Sequence, residues 1–155
     1  MGGFLVGQRV EVCSKEEGFE GSFYGARVLR QVGPKSYEVE YSNLFTEDES
    51  SHLIETVSGS ELRPRPPGPP LWTRFCVGDT VDALHNDGWW VGRLTARRGV
   101  DYFVYFETTS EMIAYPVYRL RTHRDWVSGM WVSSKRKAEL ESLNSKLGSK
   151  KKRSF

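Results

Sequence analysis

The chain has 155 residues, a formal net charge of +2, 13% aromatic and 27% charged residues, which allows one medium domain or two very small ones. No stretch approaches the roughly 18 apolar residues of a membrane-spanning helix, so no membrane partner is expected. Cys13 and Cys76 lie far apart with no Cys or His at ligand spacing, which predicts free thiols and no metal site. The charge is also divided: residues 133–155 carry a net +6 and residues 1–132 a net −4. The body favours a cationic ligand and the tail favours nucleic acid.

In chain order, "VGQRVEV" at 6–12 reads as a strand with Val10 and Val12 on one face, Arg9 and Glu11 on the other. After the long turn "SKEEGFEGS", the segment "GSFYGARV" at 21–28 places Tyr24, Ala26 and Val28 opposite Phe23, Gly25 and Arg27. "SYEVEY" at 36–41 sets Tyr37, Val39 and Tyr41 against Glu38 and Glu40. An acidic stretch, "FTEDESSHLIETV", then leads to "ELRPR" at 61–65. In "PRPPGPPLW" at 64–72, five prolines and a glycine forbid helix and sheet pairing and mark a boundary.

Beyond it the pattern starts again. "VGDTVDA" at 77–83, "DGWWVGRL" at 87–94, "DYFVYF" at 101–106 and "RLRTH" at 119–123 match the earlier segments in the same order. Ordered matches of this kind define an internal repeat. The predicted organisation is repeat 1 at 4–66, a Pro-rich linker at 67–71, repeat 2 at 72–126 and a C-terminal extension at 127–155. Each repeat is predicted to be a bent, four- or five-stranded β-barrel. So small a barrel buries little apolar area, so the two should depend on each other.

In "HNDGWWVGRL" at 85–94, alternation sends Trp90, Gly92 and Leu94 inward and Trp89, Val91 and Arg93 outward. Phe103 and Tyr105 are outward where repeat 1 has Glu38 and Glu40. That predicts an apolar outer patch needing cover, supplied by repeat 1 or by "WVSGMWV" at 126–132. Trp89 is therefore expected to be structural. Trp90 begins its strand at the barrel mouth, as Tyr24 does in repeat 1.

The end, "SSKRKAELESLNSKLGSKKKRSF", predicts a short helix over 135–147 stopped by Gly148, with basic clusters at 135–137 and 150–153. Such clusters fit nuclear import or nonspecific contact with RNA or DNA. His52, His85 and His123 stand apart from any Ser, Cys or acid arrangement. No phosphate loop is present either, so no catalytic residue, cofactor or small-molecule substrate is expected.

The paired openings, the double aromatic before a small residue and Arg-Val/Leu, the "YEVEY" strand and the closing Leu-Arg-Pro resemble the Agenet family over residues 4–126. That family is a plant-rich branch of the Tudor-like Royal barrels, often found as tandem pairs. The acidic stretch resembles the first member of a plant pair. The second copy is similar to the second Agenet repeat of the fragile X proteins. The resemblance implies an all-β fold of two packed Tudor-like barrels. It also implies a nuclear chromatin reader that binds a methylated lysine of a histone tail, with lysine nine of histone three and lower methylation states favoured.

Royal barrels surround the methylated ammonium with three or four rings, each face worth about 0.5–2 kcal/mol. By position, the resemblance implies a cage of Tyr24, Tyr41, Phe45 and Phe19 with the carboxylates Glu17 and Asp48, flanked by Glu16 and Glu49. In repeat 2, Trp90 and Phe106 match, but "ETTSEM" after Phe106 has no aromatic. An incomplete cage is expected there, with Asp87, Glu107 and Glu111 holding flanking peptide. Charge agrees: residues 4–64 carry a net −5 and residues 72–126 are neutral, steering a basic tail to repeat 1. Two competing readings stay open. One is RNA stacking on aromatic surfaces, aided by Arg93, Arg97, Arg98 and the tail. The other is a methyl-independent nuclear scaffold.

Overall fold

The computed structural model describes residues 3–16, 19–68, 74–133, 142–143 and 145–147. Repeat 1 consists of β1 (Arg9–Cys13), β2 (Ser22–Gly33), β3 (Ser36–Phe45), β4 (His52–Ser58), a 3-10 turn (Gly59–Glu61) and β5 (Leu62–Pro64). Its antiparallel order is β5-β1-β2-β3-β4. Repeat 2 has the same series: β6 (Thr80–His85), β7 (Gly88–Arg98), β8 (Asp101–Phe106), β9 (Glu111–Pro116), a 3-10 turn (Val117–Arg119) and β10 (Leu120–Thr122). They are ordered β10-β6-β7-β8-β9.

Each repeat is thus a bent five-stranded sheet of Tudor-like form. The first and last strands of the ladder are joined by the 3-10 turn, not by pairing, so the barrel is open along that seam. Both long strands slip register at the same place, between Val28 and Arg30 and between Leu94 and Ala96. An extra residue there bends the sheet over its core. Alternation settles what is inside. Val10, Val12, Tyr24, Ala26, Val28 and Val39 belong to one core, and Val81, Ala83, Leu94, Val104, Phe106 and Tyr115 to the other. Gly92 is required in the second: a Cβ there would lie 2.4 Å from Val104 Cγ1.

The repeats share one ten-stranded sheet, because Ser22 and Phe23 of β2 pair with Trp90 and Trp89 of β7. Behind this junction lies a buried chain of charges. Glu11 accepts from Arg63 Nε at 3.0 Å and from Arg121 Nη1 at 2.7 Å. Arg121 Nε donates to Asp82 at 2.8 Å; Asp82 also contacts His123 Nδ1 at 2.6 Å, and His123 Nε2 contacts Asp125 at 3.1 Å. Two sequence expectations are corrected here. Glu11, on the polar face of its strand, is only 3% exposed, and His123, isolated in sequence, sits between two carboxylates. The physical reason is the same for both: the outer face of one repeat is the inner face of the joint.

Burial disfavours the His123 imidazolium, but the Asp82 hydrogen bond and charge, with Asp125, outweigh it and raise its pKa above the ordinary value. The Arg121 guanidinium lies 4.2 Å from the Trp89 ring centroid, so Trp89 is covered by the joint and is structural. "WVSGMWV" contributes to a hairpin, β11 (Arg124–Val127) and β12 (Met130–Ser133). Its two-residue turn takes positive φ at Ser128 (49°) and Gly129 (78°), the geometry that matches strand twist. Trp126 and Trp131 meet across it at 5.1 Å. The hairpin docks on repeat 1, where Arg63 Nη1 donates to the Arg124 carbonyl at 2.7 Å. Phe103 and Tyr105 stay half-buried. Residues 142–143 and 145–147 are helical; the rest of the expected 135–147 helix, Gly148 and both basic clusters lie outside the described residues.

Candidate functional site

The mouth of repeat 1 is a concavity of about 600 Å³. Tyr24, on the inward face near the start of β2, and Tyr41, late on β3, line its floor. They are 8% and 5% exposed, so each roots most of its ring in the core and offers the remainder to the opening. The first turn supplies Phe19, which is 46% exposed and lines the opening with Glu16. That turn is tied down locally: Phe19 N–H donates to the Glu16 carbonyl at 3.0 Å, and the Ser22 hydroxyl donates to the Phe19 carbonyl. Leu44 and Leu53 add apolar wall.

Repeat 2 completes this mouth. Trp90 lines it with its ring 6.1 Å from Phe19, tilted by 42°. The connection from β6 to β7 turns through Asn86 and Asp87, both with positive φ (47° and 64°). This tight turn brings Gly88 against Tyr24: a Cβ on Gly88 would sit 2.6 Å from the Tyr24 ring. The adjacent tryptophans therefore divide their work, Trp89 under Arg121 and Trp90 in the mouth.

The carboxylates are arranged differently from the sequence expectation. The Tyr41 hydroxyl donates to Glu55 at 2.8 Å. Burial, and then the Glu55 carboxylate, push the Tyr41 phenol well above its ordinary pKa. Glu55 and Glu61 both line the concavity, and neither was singled out in the sequence. Glu55 lies across from Val39 on the paired strand β4, a register that local sequence pattern does not carry. Burial also raises the Cys13 thiol, against the charges of Arg63 and Lys15.

Other expected residues lie elsewhere. Phe45 is 50% exposed and stacks on His52 at 4.7 Å, outside the concavity. It ends β3 after an irregularity between Glu40 and Phe45, which shifts its side chain off the mouth. Asp48 is held by Thr46 and Ser50 in the turn beyond, where these hydrogen bonds lower its carboxyl to about 2. Glu49 is exposed in the same turn. Neither lines the mouth. Glu17 lies outside the described residues.

Repeat 2 has its own smaller mouth of about 120 Å³, lined by Trp90, Phe106, Glu111, His85, Ile113 and neighbouring polar residues. Asp87 and Glu107 are exposed and do not line it. Trp90 and Asn86 line both mouths, so the two concavities share a wall.

The Agenet domain profile matches residues 7–67. The chain is 38% identical over 134 residues to Protein AGENET DOMAIN (AGD)-CONTAINING P1 of Arabidopsis thaliana, covering 84% of this chain and 26% of that protein. It is 39% identical over 129 residues to DUF724 domain-containing protein 3 of Arabidopsis thaliana, covering 79% and 19%. The chain thus spans about a quarter or less of the curated relatives it matches. Among solved structures, Arabidopsis thaliana AGDP1 AGD34 superposes with a TM-score of 0.79 at 38% identity, covering 83% of this chain and 88% of that one. ADCP1 tandem Agenet domain 3-4 gives 0.75 at 34% identity, covering 83% and 86%.

Proposed function

This chain belongs to the Agenet family of Tudor-like reader domains, and from that premise we propose that it binds a methylated lysine of a histone tail through the mouth of repeat 1. The observation that carries the reading is the concavity of about 600 Å³ where Phe19, Tyr24, Tyr41 and Trp90 meet the carboxylates of Glu16, Glu55 and Glu61. Methylation spreads the charge of the ammonium and weakens its hold on water, so ring faces compete well for it. A carboxylate accepts the N–H that mono- and dimethyl forms keep and trimethyl-lysine lacks. The acid-rich wall therefore favours the lower methylation states. Histone three, with lysine nine as the marked position, is the favoured ligand on the strength of the family resemblance. Trp90 and the mouth of repeat 2, with Glu111, hold peptide flanking the mark. Binding is nuclear, reversible and modest, because a disordered tail must be ordered on a small surface.

Calorimetry against histone-three peptides, unmodified through trimethylated at lysine nine, tests this. The expected result is tightest binding of the mono- or dimethylated peptide, weakening as salt rises. Equal affinity across the series would overturn it.

A further inference from the structure

A second groove, about 910 Å³ in volume, runs between β5 with its preceding 3-10 turn and strand β11 of the C-terminal hairpin. Cys13 and Glu61 line both this groove and the mouth of repeat 1. The two concavities therefore share a wall, as the mouths of the two repeats do through Trp90 and Asn86. The three depressions are neighbours, and an extended chain crossing the shared walls would follow one track with the aromatic mouth in its middle.

The groove differs in character from the mouth. Its apolar surface comes from Phe4, Leu62, Trp126 and Val127. Each nitrogen of the Arg63 guanidinium on its wall is engaged: Nε and Nη2 donate to Glu11, and Nη1 to the Arg124 carbonyl. Glu61, by contrast, makes no hydrogen bond or ion pair among the described residues. The groove thus offers apolar surface and one unpaired carboxylate at the threshold of the mouth. Both strands bordering it are ladder ends: among the described residues β5 pairs only with β1, and β11 only with β12.

We propose that the groove holds the second flank of the same peptide: the chain whose methylated lysine enters the mouth of repeat 1 passes over Cys13 and Glu61 and runs between β5 and β11. An apolar side chain of the ligand lies against Leu62, Trp126 and Val127, and a lysine or arginine close to the mark pairs with Glu61. The hairpin is then part of the binding surface, not only a clasp on the joint. This rests on the reading of the mouth given above. It adds a length requirement and a named occupant for a surface outside both mouths.

The test uses the whole chain and three dimethyl-lysine peptides of the histone-three tail. One has about six residues on each side of the mark, roughly 20 Å of extended chain per flank; each of the others lacks one flank. Trp126→Ala is expected to weaken the full peptide roughly tenfold, as loss of a buried aromatic anchor does. Val127→Ser, at a position 40% exposed, should weaken it in the same sense without endangering the fold. The peptide lacking the groove-side flank should bind more weakly than the full one and should not respond to either variant; the other trimmed peptide should respond as the full one does. If both substitutions leave the full peptide unaffected, or both trimmed peptides respond alike, the groove is not part of the track. Those outcomes leave the mouth untouched. Loss of methyl preference by the unaltered chain would instead overturn the reading of the mouth.

Discussion

The two repeats have one topology and two different mouths. Tyr24 and Tyr41 in repeat 1 correspond to Trp90 and Phe106 in repeat 2, so the strands offer the same two inward aromatic positions twice. The connections make the difference. Repeat 1 has a long first turn that delivers Phe19 and Glu16, giving an open mouth of about 600 Å³. Repeat 2 replaces that turn with the tight Asn86-Asp87 reversal, leaving about 120 Å³. The short turn also lets Gly88 and Trp90 approach repeat 1. Repeat 2 thereby also forms one wall of its neighbour's larger concavity. The outer faces diverge as well. Arg27 and Arg30 are paired with Glu40 and Glu38 in repeat 1, whereas Tyr105 faces Arg93 in repeat 2.

The largest expected effect separates the joint from the surface. Glu11→Ala leaves Arg63 and Arg121 buried without their shared carboxylate and should cost about 3–5 kcal/mol of stability. Glu40→Ala removes only an exposed pair with Arg27 and should cost about 1 kcal/mol or less. Urea unfolding followed by tryptophan fluorescence compares them; equal costs would contradict the buried joint. Next, Tyr24→Ala should lower affinity for a dimethyl-lysine peptide roughly three- to thirtyfold, the worth of one ring face. Phe106→Ala, in the other mouth, should keep the preference for the methylated over the unmodified peptide. Titration calorimetry on variants shown to be folded reads both.

Gly88→Ala forces a methyl group against the Tyr24 ring and should cost about 1–3 kcal/mol. It should also weaken methyl-peptide binding although Gly88 belongs to the other repeat. A smaller effect comes from pH. The His123 pKa is raised on folding, so the unfolded chain binds fewer protons there. Its contribution is full below the unfolded value of about 6.5 and fades as pH rises through the higher folded value. His123→Gln should flatten that part of the stability profile. Smallest of all, the buried Tyr115 hydroxyl has no partner among the described residues. Tyr115→Phe should therefore change stability by no more than about 1 kcal/mol, in either direction.

The repeat, the strand faces and the Tyr24–Trp90 equivalence were all legible in the sequence, because period-two alternation and ordered matches are local signals. Phe19, Tyr24 and Tyr41 were expected at one mouth only through the family resemblance, since Phe19 lies in a turn that alternation does not orient. What local pattern cannot carry is where a strand end leaves its register and what packs outside a strand. Phe45 illustrates the first: the irregularity after Glu40 turns it onto His52. Glu11 and His123 illustrate the second, since a polar outward residue looks the same whether it faces water or a neighbouring repeat. Glu55 was hidden because its role depends on pairing β4 with β3, and the Tyr41 hydroxyl identifies it only in three dimensions. Trp90 was assigned to its own repeat alone; its second allegiance comes from the β2–β7 pairing.

The central claim is that rings of repeat 1, joined by Trp90, receive the methylated ammonium. The most direct measurement is an NMR titration with a histone-three peptide whose lysine-nine dimethyl group carries carbon-13. Through-space contacts should connect the methyl protons to the rings of Tyr24, Tyr41 and Phe19, with the methyl resonance displaced by ring currents. Contacts to Phe106 and His85 in their place, or a methyl resonance that does not move on saturation, would contradict the account.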